Sequence, residues 1–390
     1  VKRPFSNLTK RELENLINAG IVLALILYIL DILLILLKNA YLNDFPHFWL
    51  GSRTLLNGGD PYKLVHYHPL PWVLLLSLPV AFIPVNEAIL VIDVVNIFVL
   101  ILVLVILNEL ITNELPLWER ALLAILCVYY AIPCLFSGQL GLWMVLGLAL
   151  SLWLLKRGKD LLAGISAVVL LLKPWLVWIP VLALALLVIS RRRWKVVIGF
   201  FSVSAALIFA TWIVFPNCFS SFLHVNFREA LGGGIEGDLV YFWPLATPTD
   251  FFTYVLKVSL SSVGKIFLWA FWIILGIALA VWAIVLWKRG NLKDEALVGV
   301  AALLGVMLSP YVRYYDYILL IIWIAAFSGM EWKCLPRWGR TGLAVSMVLA
   351  LAVLYGTHPE PWVILSLLML YCGTLFALSS LTFSNKKTQQ

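Results

Sequence analysis

Asp44 stands in the run Asn43-Asp44-Phe45-Pro46-His47-Phe48-Trp49, directly after the first strongly apolar stretch of the chain. A carboxylate held just outside a bilayer can take a proton from a hydroxyl brought to the membrane surface, the work of a general base. Lys173, between apolar stretches and just before Pro174, needs an anion, an interface to snorkel toward, or water. Gln139 follows Gly138 at the start of another apolar stretch. Ser309-Pro310-Tyr311-Val312-Arg313-Tyr314-Tyr315-Asp316-Tyr317 interleaves tyrosines with one cation and one carboxylate. Aromatic faces beside charged hydrogen-bonding groups suit a ligand with both apolar and hydroxyl surfaces, as a sugar ring has.

Each group also has a plainer reading. Asp44 is a favoured residue type for the N-cap of a helix over about 46–56, on which Phe48 and Trp49 would serve as interfacial anchors. Lys173 can snorkel, or it can meet a lipid phosphate. A belt of interfacial aromatics accounts for the tyrosines, although not for Arg313 and Asp316 between them. Further along, His224, Arg228 and Glu229 precede Gly232-Gly233-Gly234, which supplies a hinge for a substrate-gating lid or merely a connector.

The elements that must position these groups are set by composition. The chain has 390 residues, of which 63% are hydrophobic and 12% charged, and a mean hydropathy of +0.99. That excludes a water-soluble globule and indicates an all-α polytopic membrane protein. Its net charge of +8 comes from short basic clusters between apolar runs, the pattern of cytoplasmic loops, so nucleic acid is not an expected partner. Cys127, Cys134, Cys218, Cys334 and Cys372 have neither metal-ligand nor disulfide-framework spacing.

Apolar runs over 17–37, 87–107, 119–135, 140–155, 161–172, 175–189, 196–215, 264–287, 296–308, 317–327, 341–355 and 362–383 predict about twelve spans, several of them short. The first reads as a retained signal anchor. The run 69–84 is interrupted by Pro71 and Pro79 and reads as a re-entrant or interfacial helix. Placing the clusters Lys156-Arg157-Lys159 and Arg191-Arg192-Arg193-Lys195 in the cytoplasm puts both termini there too. Asp44, Lys173 and Arg313 then share the outer face with two long segments, 38–85 and 217–263. Loops of that length inside a compact membrane protein are usually functional. The first also carries Arg53 and the turn Gly58-Gly59-Asp60-Pro61-Tyr62. Asp31 and Asp93 lie inside spans and are expected to face protein or water.

Three blocks of residues, taken in order, resemble the GT-C superfamily of membrane glycosyltransferases, and within it glycosyltransferase family 87, the polyprenyl-phosphate-mannose-dependent alpha-mannosyltransferases. The first is Asp44 through Trp49 with Leu55-Leu56-Asn57-Gly58-Gly59-Asp60-Pro61-Tyr62 and His68-Pro69-Leu70. The second is Gly138-Gln139, Ala163-Gly164 and Lys173-Pro174. The third is Ser309-Pro310-Tyr311 with Tyr315-Asp316. The resemblance implies a single GT-C domain over 1–390, with 38–85 as its catalytic loop and Asp44 as base. It also implies inverting transfer of a sugar from a polyprenyl phosphate donor to a glycolipid or glycan acceptor at the plasma membrane. Some family members carry a Trp and a His where this chain has Arg313 to Asp316, so no histidine role transfers there.

A departing lipid phosphate calls for cations, and Lys173, Arg313, Arg228 and Lys265 are the candidates. His47, Arg53, Tyr62, His68, Gln139, Tyr315, Asp316 and His224 are candidates for holding sugar or acceptor. No cofactor is required. The outer carboxylates lack the spacing of a coordination set, so no metal is assigned and assistance by a divalent ion stays open. A transporter or flippase of a lipid-linked or small polar substrate, and a non-catalytic lipid-binding scaffold, are the rival readings. Transporters commonly show internal repeats, and none is evident.

Overall fold

The computed structural model describes residues 44–64, 69–110, 117–230, 247–309, 311–330, 334–356 and 364–387, and every regular element among them is helical. The first predicted span, 17–37, with Asp31, lies outside the described residues, as does His68. Four described helices are long and apolar enough to cross a membrane: Val85–Leu110, Trp194–Val214, Ser262–Lys288 and Ile364–Thr382. Shorter apolar helices accompany them, where the hydropathy pattern predicts about twelve spans in all.

The chain breaks its apolar runs for local reasons. Helix α1 (Phe45–Leu56) begins with Pro46 in its first turn, where a missing N–H costs nothing, and it buries Phe45, Phe48, Gly51 and Ser52 along one face. That face docks on α2 (Pro71–Ser77) and the 3-10 turn Leu78–Phe82 that continues it. Four side chains fasten the dock. The Trp49 indole donates to the Ile83 carbonyl at 3.0 Å, and Arg53 donates to the Ala81 carbonyl at 2.8 Å. Ser52 donates to the Leu74 carbonyl at 3.1 Å and meets the Ser77 hydroxyl at 2.7 Å. Residues 71–82 rise only about 18 Å even as continuous α-helix, short of the roughly 30 Å hydrocarbon thickness.

The bundle follows: α3 (Val85–Leu110), α4 (Leu117–Phe136), α5 (Gly141–Lys156), α6 (Asp160–Ala167) with its 3-10 extension Val168–Leu172, α7 (Pro174–Ser190) and α8 (Trp194–Val214). Next come α9 (Cys218–Ala230), α10 (Ser262–Lys288), α11 (Asp294–Leu308), a 3-10 turn Tyr314–Leu319 and α12 (Leu320–Ile324). α13 (Arg337–Gly356) and α14 (Ile364–Lys387) pack on each other at the end of the chain.

α11 is buried without a break from Ala296 to Met307, as expected of a helix apolar all round at the centre of a bundle. α8 and α10 instead expose large apolar side chains such as Phe201, Phe209, Phe267 and Phe271, the surface a lipid-facing helix presents. α6 and α8 touch backbone to backbone: a Cβ on Gly164 would overlap the Val196 carbonyl, and one on Gly199 the Leu161 carbonyl. Small residues permit this approach where water exclusion does not drive helices together. Asp93 is buried in α3, and nearby Asn96 accepts a 2.9 Å hydrogen bond from the Trp143 indole. All five cysteines are free thiols.

Candidate functional site

α5, α7 and α11 share two ends. Gly141, Pro174 and Leu308 mark one; Lys156, Ser190 and Asp294 mark the other. The groups singled out by residue type gather at the first of these ends.

Pro133 lies in the last turn of α4, and the chain leaves that helix through Ser137-Gly138-Gln139. Gly138 takes φ +58°, a left-handed conformation that favours glycine, and the reversal lets the Gln139 N–H donate back to the Cys134 carbonyl at 3.2 Å. This turn receives Asp44 twice. The Asp44 N–H donates to the Ser137 carbonyl at 2.8 Å, and Gln139 Nε2 donates to Asp44 Oδ2 at 2.9 Å. Asp44 does occupy the N-cap position of α1, but its side chain makes no capping bond. The plain capping role therefore fails, because the carboxylate is held by the far turn instead.

Gln139 is 6% exposed, and its Oε1 is buried without a hydrogen-bond partner. Reversing the amide would set that oxygen against the Asp44 carboxylate, so the donor orientation is the favourable one. An unsatisfied buried acceptor costs about 1–3 kcal/mol and is a feature to explain rather than ignore.

Lys173, 8% exposed, has its anion within the protein: Nζ lies 2.8 Å from Oδ1 of Asp316, which is 1% exposed. Snorkelling is thereby replaced by a buried ion pair. The other Asp316 oxygen accepts the Arg313 N–H at 3.1 Å, and the Asp316 N–H donates to the Arg313 carbonyl at 3.0 Å, so the 3-10 turn fastens its own carboxylate. The Lys173 ammonium also sits 4.8 Å from the centroid of the Tyr315 ring, and the Arg313 guanidinium 5.9 Å from that of Tyr311.

The two halves meet. Tyr315 lies within electrostatic reach of both Asp44 and Asp316, and Cys134 within that of both Lys173 and Asp316. Gly141 packs against Ile318 and the Cys134 sulfur, where a Cβ would crowd both. Asp44, Gln139, Lys173, Arg313, Tyr315 and Asp316 thus form one cluster drawn from four separate segments. The Trp72 indole, donating to the Leu171 carbonyl at 3.0 Å, ties the first loop to the segment leading into Lys173.

The other candidates sit apart. Arg53 is committed to the Ala81 carbonyl. Tyr62 donates to the Pro69 carbonyl at 2.8 Å and stacks on Phe215, with Phe222 edge-on. Both are therefore loop fasteners. His47 is exposed on α1, His224 on α9 and Lys265 on the first turn of α10. Arg228 belongs to α9, but its side chain lies outside the described residues. Asp60, singled out only as part of a turn, bridges the Tyr62 N–H at 3.0 Å and the Ser221 hydroxyl at 2.9 Å, joining the first loop to α9. The Ser137 carbonyl and Cys134 are site members that residue type does not reveal; only the glycine in Gly138-Gln139 signals the turn. No group of His, Cys, Asp and Glu able to hold a metal is present among the described residues.

The chain matches the family model for glycosyltransferase family 87 over residues 67–310. No curated protein and no solved structure matches it. Gln139 and Lys173 fall inside the matched span. Asp44 falls well before its start and Asp316 shortly after its end, and each is bonded directly to a residue within.

Proposed function

The chain belongs to glycosyltransferase family 87, and from that premise we propose that it transfers a sugar, mannose in our reading, from a polyprenyl phosphate to a hydroxyl of a lipid or glycan acceptor. Glycosyltransferase activity accompanies the family, and the helices are those of an integral membrane protein. The donor, the sugar, the acceptor, the outer-face location and the role of Asp44 are our proposal. The observation that carries it is the cluster itself: a hydrogen-bonded carboxylate and a buried Lys173–Asp316 pair at one end of the bundle, where Tyr315 packs beside Gly141.

In this mechanism Asp44 removes the acceptor's hydroxyl proton as that oxygen bonds to the anomeric carbon of the sugar. The bond from that carbon to the phosphate oxygen breaks, and its electron pair leaves with the lipid phosphate. Attack opposite the leaving group inverts the anomeric centre. The phosphate is already a stable anion, so it needs compensating charge more than a proton. Arg313 and Lys173 supply it, with Asp316 holding Lys173 in place. Gln139 keeps one Asp44 oxygen engaged and leaves the other to face the acceptor. Its orphan Oε1 accepts a hydroxyl of a bound substrate, which explains a buried acceptor with no partner of its own.

The test is a panel of radiolabelled donors given to purified protein in lipid. Transfer from polyprenyl phosphate mannose, and none from soluble nucleotide sugars, is the expected result. Transfer from a nucleotide sugar alone would remove the lipid donor, and preference for another lipid-linked sugar would remove mannose.

A further inference from the structure

The other end of the bundle holds a cavity of about 490 Å³, a size ordinary for small-ligand sites. Its mouth is polar, with Lys156, Arg191, Arg193 and Lys293 against Asp294 and Glu295. Its floor is apolar, including Leu110, Leu152, Leu187 and Trp287. α5 separates this cavity from the Asp44 cluster by about 22 Å of helix rise.

Two of the cations keep half-exposed side chains. Lys156 pairs with Glu295 at 3.0 Å and Arg191 with Asp294 at 2.6 Å, with the cationic side chains each 47% exposed. Their carboxylate partners are less exposed, 13% for Glu295 and 24% for Asp294, so an incoming anion shares these cations rather than stripping them from the carboxylates. Arg193 is held more firmly, donating to the Leu155 carbonyl at 2.5 Å and lying 3.3 Å from Asp160. Trp287 donates to Asp294 at 2.9 Å, so one carboxylate carries both an arginine and the indole. The wall brings two guanidinium groups and two ammonium groups together, and guanidinium forks match phosphate oxygens well.

We propose that this cavity binds the phosphate headgroup of an anionic phospholipid. The shared chemistry of a phosphate would also admit the free ion, but the ion would leave the leucine floor wet. A lipid fills both parts: phosphate at the cationic mouth, and the glycerol and upper chains over the apolar wall. The position also fits, because the mouth lies where apolar helices end, on the side whose basic clusters are expected to face an anionic leaflet. The inference does not depend on the role of Asp44.

Native mass spectrometry of the full chain, with phosphatidylglycerol titrated against a phosphatidylcholine background, tests it. Selective retention of phosphatidylglycerol is expected. The double variant Arg191→Gln/Lys293→Gln should bind it about 25-fold more weakly, taking roughly fivefold per cation. Lys159→Gln/Lys195→Gln removes the same charge from outside the cavity wall and should match wild type. Equal weakening in both variants would mean diffuse attraction to the basic surface and would overturn the site. Displacement of the lipid by inorganic phosphate at equal concentration would overturn the lipid assignment. If Arg191→Gln/Lys293→Gln does not fold, Lys156→Gln alone decides: about fivefold weaker binding supports the site, and unchanged binding overturns it.

Discussion

At the scale of single residues, the informative fact about Asp44 is what holds it. A capping aspartate would bond to its own helix, whereas this one accepts from Gln139, a residue 95 positions away. Asp44→Asn keeps the size and the backbone bond to Ser137 but cannot take a proton. We expect a folded protein with sugar transfer reduced by about 10²–10⁴-fold, the usual weight of a general base, measured by single-turnover transfer. Transfer at the wild-type rate would remove Asp44 from that role. Gln139→Glu replaces a donor by a second carboxylate facing Asp44 Oδ2, so transfer should fall on the order of 10²-fold through misplacement of the base. Gln139→Asn, which retains the amide on a shorter stem, should fall less. The Lys173–Asp316 pair calls for a different comparison. Removing Lys173 alone leaves Asp316 buried and unpaired, a loss of about 3–5 kcal/mol, whereas Lys173→Met with Asp316→Leu should recover much of that in thermal unfolding. Lys173→Ala should also weaken donor binding more than Asp44→Ala does. Equal donor affinity in wild type and the Lys173 variant would confine the pair to a structural role.

At the scale of elements, the site depends on breaks in helices more than on helices. Gly138 reverses the chain after α4, Pro174 restarts it after Lys173, and a 3-10 turn rather than an α-helix carries Tyr315 and Asp316. These breaks also shorten the helices of the bundle, which is why runs that hydropathy reads as spans emerge as α segments with 3-10 extensions. Backbone contact between α6 and α8 holds the segment before Lys173 in place. Gly164→Ala inserts a Cβ against the Val196 carbonyl and forces the two helices apart. We expect about 1–3 kcal/mol of destabilisation, seen as a lower unfolding temperature in detergent; an unchanged temperature would show that the contact yields freely.

At the scale of the whole molecule, α5, α7 and α11 join a carboxylate cluster at one end to a cationic cavity at the other. Cysteine accessibility labelling should therefore find substitutions at His47 and at Arg191 reactive from opposite sides of a sealed membrane. Both residues are exposed. Reactivity from the same side would break the inferred polarity of the bundle. The hydropathy pattern pointed to a helical chain built for lipid, as the described residues are, because long continuous apolar runs satisfy their backbone there as helices, whereas barrel strands alternate apolar and polar residues. Residue types and their order were also enough to point to the family, and they singled out Asp44, Gln139, Lys173, Tyr315 and Asp316 as candidates, which the fold gathers at one end of the bundle. Only the tertiary structure decided that Lys173 finds its anion 143 residues away in Asp316, and that Arg53 and Tyr62 bond to the carbonyls of Ala81 and Pro69. The reason is physical: hydropathy records how far each stretch must avoid water, and a bilayer satisfies that equally for many helix arrangements. Which buried polar groups meet is settled by close packing and by hydrogen bonds between segments remote in sequence, and neither leaves a periodic trace along the chain.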